Sequence, residues 1–117
     1  MAPKFISRNW VRGDSQLLYC TITHNGDVVD ITGYTFYFTV KRDWNTPDAE
    51  AVIALNITDL TDPTNGKFNI NVSSSLTEDL LKNYVYDIRS EDTGGKFITL
   101  ERGEINFVKD ATRRIFD

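Results

Sequence analysis

The stretch Tyr34-Thr35-Phe36-Tyr37-Phe38-Thr39-Val40-Lys41 sets Tyr34, Phe36, Phe38 and Val40 on one side of the chain and Thr35, Tyr37, Thr39 and Lys41 on the other. Successive side chains of a strand point to opposite faces, so this alternation predicts a strand with one face in a core and one in water. The rhythm returns in Phe68, Ile70 and Val72 and again in Tyr84, Tyr86 and Ile88, each run bounded by Gly, Asn, Asp or Pro clusters. Short strands separated by regular turns predict an all-β domain, a two-sheet sandwich or a barrel.

Working outward, the punctuation divides the chain. Residues 1–13 read as an extended lead-in carrying Phe5, Ile6, Trp10 and Val11. A strand is expected from Gln16 to Thr23, and His24-Asn25-Gly26-Asp27 is a hairpin turn because Asn-Gly accepts positive φ. Val28 to Ile31 is a short strand, and Ala49 to Ile57 a longer one after the loop that holds Trp44 and Pro47. Asp62-Pro63-Thr64-Asn65-Gly66 is the strongest turn signal. Ser75-Leu76-Thr77-Glu78 reads as a capping box opening one or two helical turns, with Leu76 and Leu80 facing inward. The last strand changes parity between Ile98/Leu100 and Ile105/Phe107, which predicts a β-bulge near Arg102-Gly103. The sandwich is expected over 14–109, with a charged tail over 110–117.

Composition bounds the function. With 117 residues, 40% of them hydrophobic, the chain supports one domain with a real core. A net charge of −4 without a basic run longer than Arg113-Arg114 argues against nucleic acid as a partner. No apolar run approaches the roughly 20 residues of a membrane span, and no secretory h-region follows Met1, so the expected protein is soluble and made in the cytosol. Cys20 is the single cysteine, so no intrachain disulfide is expected, and it reads as a small buried apolar residue.

Catalytic, cofactor and metal sites are not expected. One histidine and one cysteine make no nucleophile setting, and neither a phosphate loop nor a zinc spacing occurs. His24 reads as a solvated turn residue. Asp27, Asp30, Asp59 and Asp62 sit in turns, where acids are common, and their spacing matches no calcium loop. Arg12-Gly13-Asp14 has the form of an integrin-binding tripeptide but reads as an entry into a strand, and the acceptor sequences at Asn56 and Asn71 need a secretory route to be glycosylated.

The ordered set Val11-Arg12-Gly13-Asp14-Ser15, Asp30 to Arg42, Asp48-Ala49-Glu50-Ala51, Asp59 to Lys67 and Tyr84 to Arg89 resembles the small immunoglobulin-like modules of tailed-bacteriophage virions. These include the N-terminal domain of phage upper-baseplate proteins, and the resemblance covers residues 8–110. It implies an immunoglobulin-like antiparallel β-sandwich of about seven strands with one short helical turn. It also implies a non-catalytic virion protein, an adaptor or decoration module on tail, baseplate, neck or capsid, with other virion proteins or further copies of itself as partners. Upper-baseplate proteins continue beyond this module, so the short chain speaks against a fibre or receptor-binding role. The segment Leu80 to Tyr86 is similar to the immunoglobulin corner in which a tyrosine, here Tyr84, bonds back to the preceding turn, with Tyr86 at the place of a cysteine.

The alternative from another class is a bacterial carbohydrate-binding or adhesion module. It would use an aromatic platform, for which Tyr19 and Tyr37 are the candidates. A docking protein needs apolar anchors instead, and Trp10, Trp44, Ile115 and Phe116 are the candidate interface residues because they fall outside the expected core strands.

Overall fold

The computed structural model describes residues 4–110. Nine strands dominate: β1 Lys4–Val11, β2 Gln16–Thr21, β3 Thr23–His24, β4 Asp27–Val28, β5 Thr35–Lys41, β6 Ile53–Ile57, β7 Lys67–Val72, β8 Lys82–Glu91 and β9 Phe97–Val108. They form a five-stranded sheet in the order β1-β9-β8-β5-β6, a two-stranded sheet β2-β7, and a small hairpin β3-β4. The two larger sheets face each other, and the closest ring contact between them stacks Phe36 of β5 on Phe68 of β7 at 3.8 Å and 14°.

The alternation of the opening stretch is what builds this core. Phe36, Phe38 and Val40 are fully buried, and Tyr84, Tyr86, Ile88, Ile105 and Phe107 complete the same inner face. At about 25 cal/mol per Å² of apolar area, such aromatic and branched side chains supply the main drive for packing the sheets. Asn25 and Gly26 take the positive φ expected of their turn, at 53° and 86°. Asp62 to Gly66 forms a 3-10 turn closed by a left-handed Gly66.

Four expectations are corrected. The lead-in is strand β1, paired parallel with β9 from Lys4/Glu101 to Val11/Val108, so one pair of the sandwich is not antiparallel. The bulge lies earlier than Gly103: the β8/β9 register shifts between Ile88 and Arg89, which leaves Leu100 as the extra residue. The helical turn α1, Ser74–Thr77, has Ser73 as its N-cap without a side-chain cap bond, so the capping box does not form. Thr77 is buried instead, its hydroxyl accepting from Gly13 N at 3.0 Å and lying 3.0 Å from Asp14 O. Finally, Trp10 is inside the core, 6% exposed, tilted on Phe38 and edge-on to Phe107.

Gly103 is needed for a different reason than a bulge. Its φ is not positive, but a Cβ built on it would stand 1.8 Å from the Ile6 carbonyl oxygen of β1. The parallel β1/β9 pairing therefore requires glycine at this point.

Candidate functional site

The outer face of the five-stranded sheet is assembled from the out-pointing residues of four strands. Tyr37, Thr39 and Lys41 come from β5, and Asp87 and Arg89 from β8. Phe97 and Arg102 come from β9, with Phe5 of β1 beside Arg102 in register. Phe97 faces outward because it precedes the Leu100 bulge; without that extra residue, the parity of Ile105 and Phe107 would turn it inward. The 43–47 loop folds back so that Trp44 lies over the Arg102 guanidinium, 4.3 Å from Cζ to the ring centroid.

An open depression of about 430 Å³ lies on this face, and its lining includes Tyr37, Trp44, Asp87, Arg89 and Phe97. Arg89 stacks on Phe97 with Cζ 5.0 Å from the centroid, and the rings of Tyr37 and Phe97 are 6.0 Å apart. Tyr37 Oη donates to Glu91 Oε1 at 2.6 Å, and this bond raises the Tyr37 pKa by holding the neutral phenol. Lys41 pairs with Asp48 and lowers that carboxyl's pKa. Asp87 behaves in the opposite way: burial pushes its pKa above the ordinary aspartate range. Phe5, Trp44 and Phe97 remain 60%, 45% and 48% exposed, and such an exposed apolar cluster marks an interaction surface.

A second network sits at the open flank between the sheets. Arg8 Nη2 donates to Glu101 Oε2 at 2.8 Å, Arg8 Nε to Tyr86 Oη at 3.1 Å, and Tyr86 Oη to the same Glu101 oxygen at 2.5 Å. Burial, then the Glu101 bond, push the Tyr86 phenol up to about 12. Cys20, facing this flank, is pushed up to about 11, chiefly by burial, and so is held as an unreactive thiol.

Of the four candidate interface residues, the two that are described, Trp10 and Trp44, are not brought together. Trp44 lies on the exposed sheet face, Trp10 is in the core, and Ile115 and Phe116 lie outside the described residues. Tyr19 and Tyr37 point from the outer faces of different sheets and share no platform, while Tyr37 and Phe97 are inclined at 35° rather than coplanar. The Arg12-Gly13-Asp14 tripeptide is tied down by Arg12 to Asp110 at 2.9 Å and by Gly13 to Thr77. Asp30 bonds Thr32 and Asp62 bonds Asn65, as turn formers do, and no hydrogen bond joins Tyr84 Oη to the preceding corner among the described residues.

The BppU N-terminal domain, the N-terminal domain of the phage upper-baseplate protein, matches residues 9–92, from the end of β1 to just beyond β8. The chain belongs to the BppU N-terminal domain family. Its fold is similar to that of the N-terminal domain of phage TP901-1 ORF48, with a TM-score of 0.50 and 13% identity, over 94% of this chain and 90% of that one. No curated protein matches it. Membership of the BppU N-terminal domain family supports a structural role in the phage virion, among other virion proteins. Sequence reasoning missed Phe5, Phe97, Asp87 and Arg102 as members of one surface. Only the parity of Phe97 across the bulge was a signal, and the bulge was placed too late to show it.

Proposed function

We propose that this BppU-family domain is a non-catalytic adaptor or decoration module that docks on other virion proteins, at tail, baseplate, neck or capsid, through the outer face of its five-stranded sheet. The observation that carries the reading is the exposed set Phe5, Trp44 and Phe97 on one side of the five-stranded sheet, with Arg102 and Arg89 stacked on Trp44 and Phe97. Aromatic and arginine side chains are the residue types that dominate protein interfaces. Phe5 and Phe97 stand on paired strands and Trp44 is stacked on Arg102, so ordering them on docking costs little side-chain entropy. Ile115 and Phe116, which lie outside the described residues, remain proposed as interface residues in addition to Trp44.

The test is incorporation. Trp44→Ala combined with Phe97→Ala removes two exposed rings without touching the core, so the variant keeps the parent's melting behaviour within a few tenths of a kcal/mol. Quantified by mass spectrometry of purified particles, its copy number falls at least tenfold, while Tyr19→Ala on the other sheet incorporates like the parent. Full incorporation of the double variant refutes docking through this face.

A further inference from the structure

Asp87 is the one acidic group of the depression that has no direct partner. Asp48 holds Lys41, and Glu91 accepts from Tyr37, whereas no hydrogen bond or ion pair within 4.0 Å reaches the Asp87 carboxylate among the described residues. Three cations are near enough to act on it electrostatically, Arg89, Lys41 and Arg102. Each is turned elsewhere: Lys41 to Asp48, Arg89 over the Phe97 ring and Arg102 over the Trp44 ring. The half-buried carboxylate lines the depression together with Tyr37, Trp44 and Phe97.

A half-buried carboxylate without a direct hydrogen-bond or ion-pair partner gains from an opposite charge that reaches it. Aromatic side chains in the lining favour the same kind of visitor, since ring faces attract cations and pack on the aliphatic stem of a long basic side chain. A depression of about 430 Å³ has room for one such chain. An acidic or purely apolar occupant would leave Asp87 uncompensated and drier than before.

Resting on the reading of this face as the docking surface, we infer that the depression receives one lysine or arginine side chain from the virion protein it docks on, with Asp87 as the acceptor. Arg102 and Arg89, held on the rings, leave the carboxylate open to the incoming cation, and the contact gives the docked pair one orientation on an otherwise apolar face.

Free L-arginine amide serves as the probe, with the Asp87 carboxyl carbon followed by NMR against pH in the intact protein. Alone, Asp87 titrates above the ordinary aspartate value; with tens of millimolar arginine amide its midpoint falls, and the Tyr37, Trp44 and Phe97 ring resonances shift. Asp87→Asn abolishes the ring shifts. Titration below the ordinary value in the free protein would mean that Arg102 or Arg89 already pairs with Asp87, and would overturn the inference, as would arginine amide leaving midpoint and rings unmoved. Particle incorporation separates this inference from the docking reading. Loss in both Asp87→Asn and the Trp44/Phe97 variant supports both, full incorporation of Asp87→Asn alone sinks the cation contact and spares the face, and full incorporation of both removes the two together.

Discussion

Tyr86 shows how one buried side chain ties the edge strand β1 to the core. Its ring packs on Phe38 inside the sandwich, while its hydroxyl joins the Arg8–Glu101 pair at the open flank. Arg8 lies on the inward side of β1, between Ile6 and Trp10, and the phenol and carboxylate together satisfy it there. Because folding raises the Tyr86 pKa from 10.0 to about 12, the native state favours the neutral phenol. Its stabilising contribution is fully present below 10, and it is lost as pH rises through the window from 10 to 12, where the unfolded chain ionises first. Tyr86→Phe should therefore lose about 1 kcal/mol at neutral pH, from the missing hydrogen bonds, and show a shallower fall of stability across that alkaline window than the parent in urea melts. An identical alkaline fall in both proteins would show that Tyr86 is not the titrating group.

The parallel pairing of β1 with β9 depends on the missing side chain at Gly103. With a Cβ there 1.8 Å from the Ile6 carbonyl oxygen, Gly103→Ala forces β1 away from β9. The variant should be destabilised by more than the ~1 kcal/mol of an average substitution, and amide exchange over residues 4–8 should accelerate most. Slow exchange in β1 with unchanged stability would contradict the close approach. The same strand explains what the sequence could and could not reveal. β5, β7 and β8 were legible because Phe36, Phe68 and Tyr84 each open an unbroken period-two run. β1 was not, because its inward positions read Lys4, Ile6, Arg8, Trp10, and the arginine becomes tolerable through Glu101 and Tyr86, which are distant in sequence. Trp10 was misplaced for the same reason: once β1 is a strand of the sheet, its indole is core. The bulge was legible from parity, but glycine drew it to 103, whereas the pairing places it at Leu100.

At the scale of the whole molecule, the two outer faces differ in what they offer. The small sheet exposes Leu17 and Tyr19 opposite Asn71 and Asn69, whereas the five-stranded side exposes Phe5 beside Arg102 and sets Trp44, Arg89 and Phe97 around a depression. The candidate site was legible only at Trp44 and Tyr37, since gathering the others takes β1, the bulge and the folded-back 43–47 loop together. Hydroxyl-radical footprinting of the protein, free and in assembled particles, reads side-chain accessibility on both faces at once. Docking through the five-stranded sheet predicts that Phe5, Trp44 and Phe97 lose reactivity on assembly while Leu17 and Tyr19 keep theirs; protection of Leu17 and Tyr19 with Phe5, Trp44 and Phe97 unchanged would contradict it.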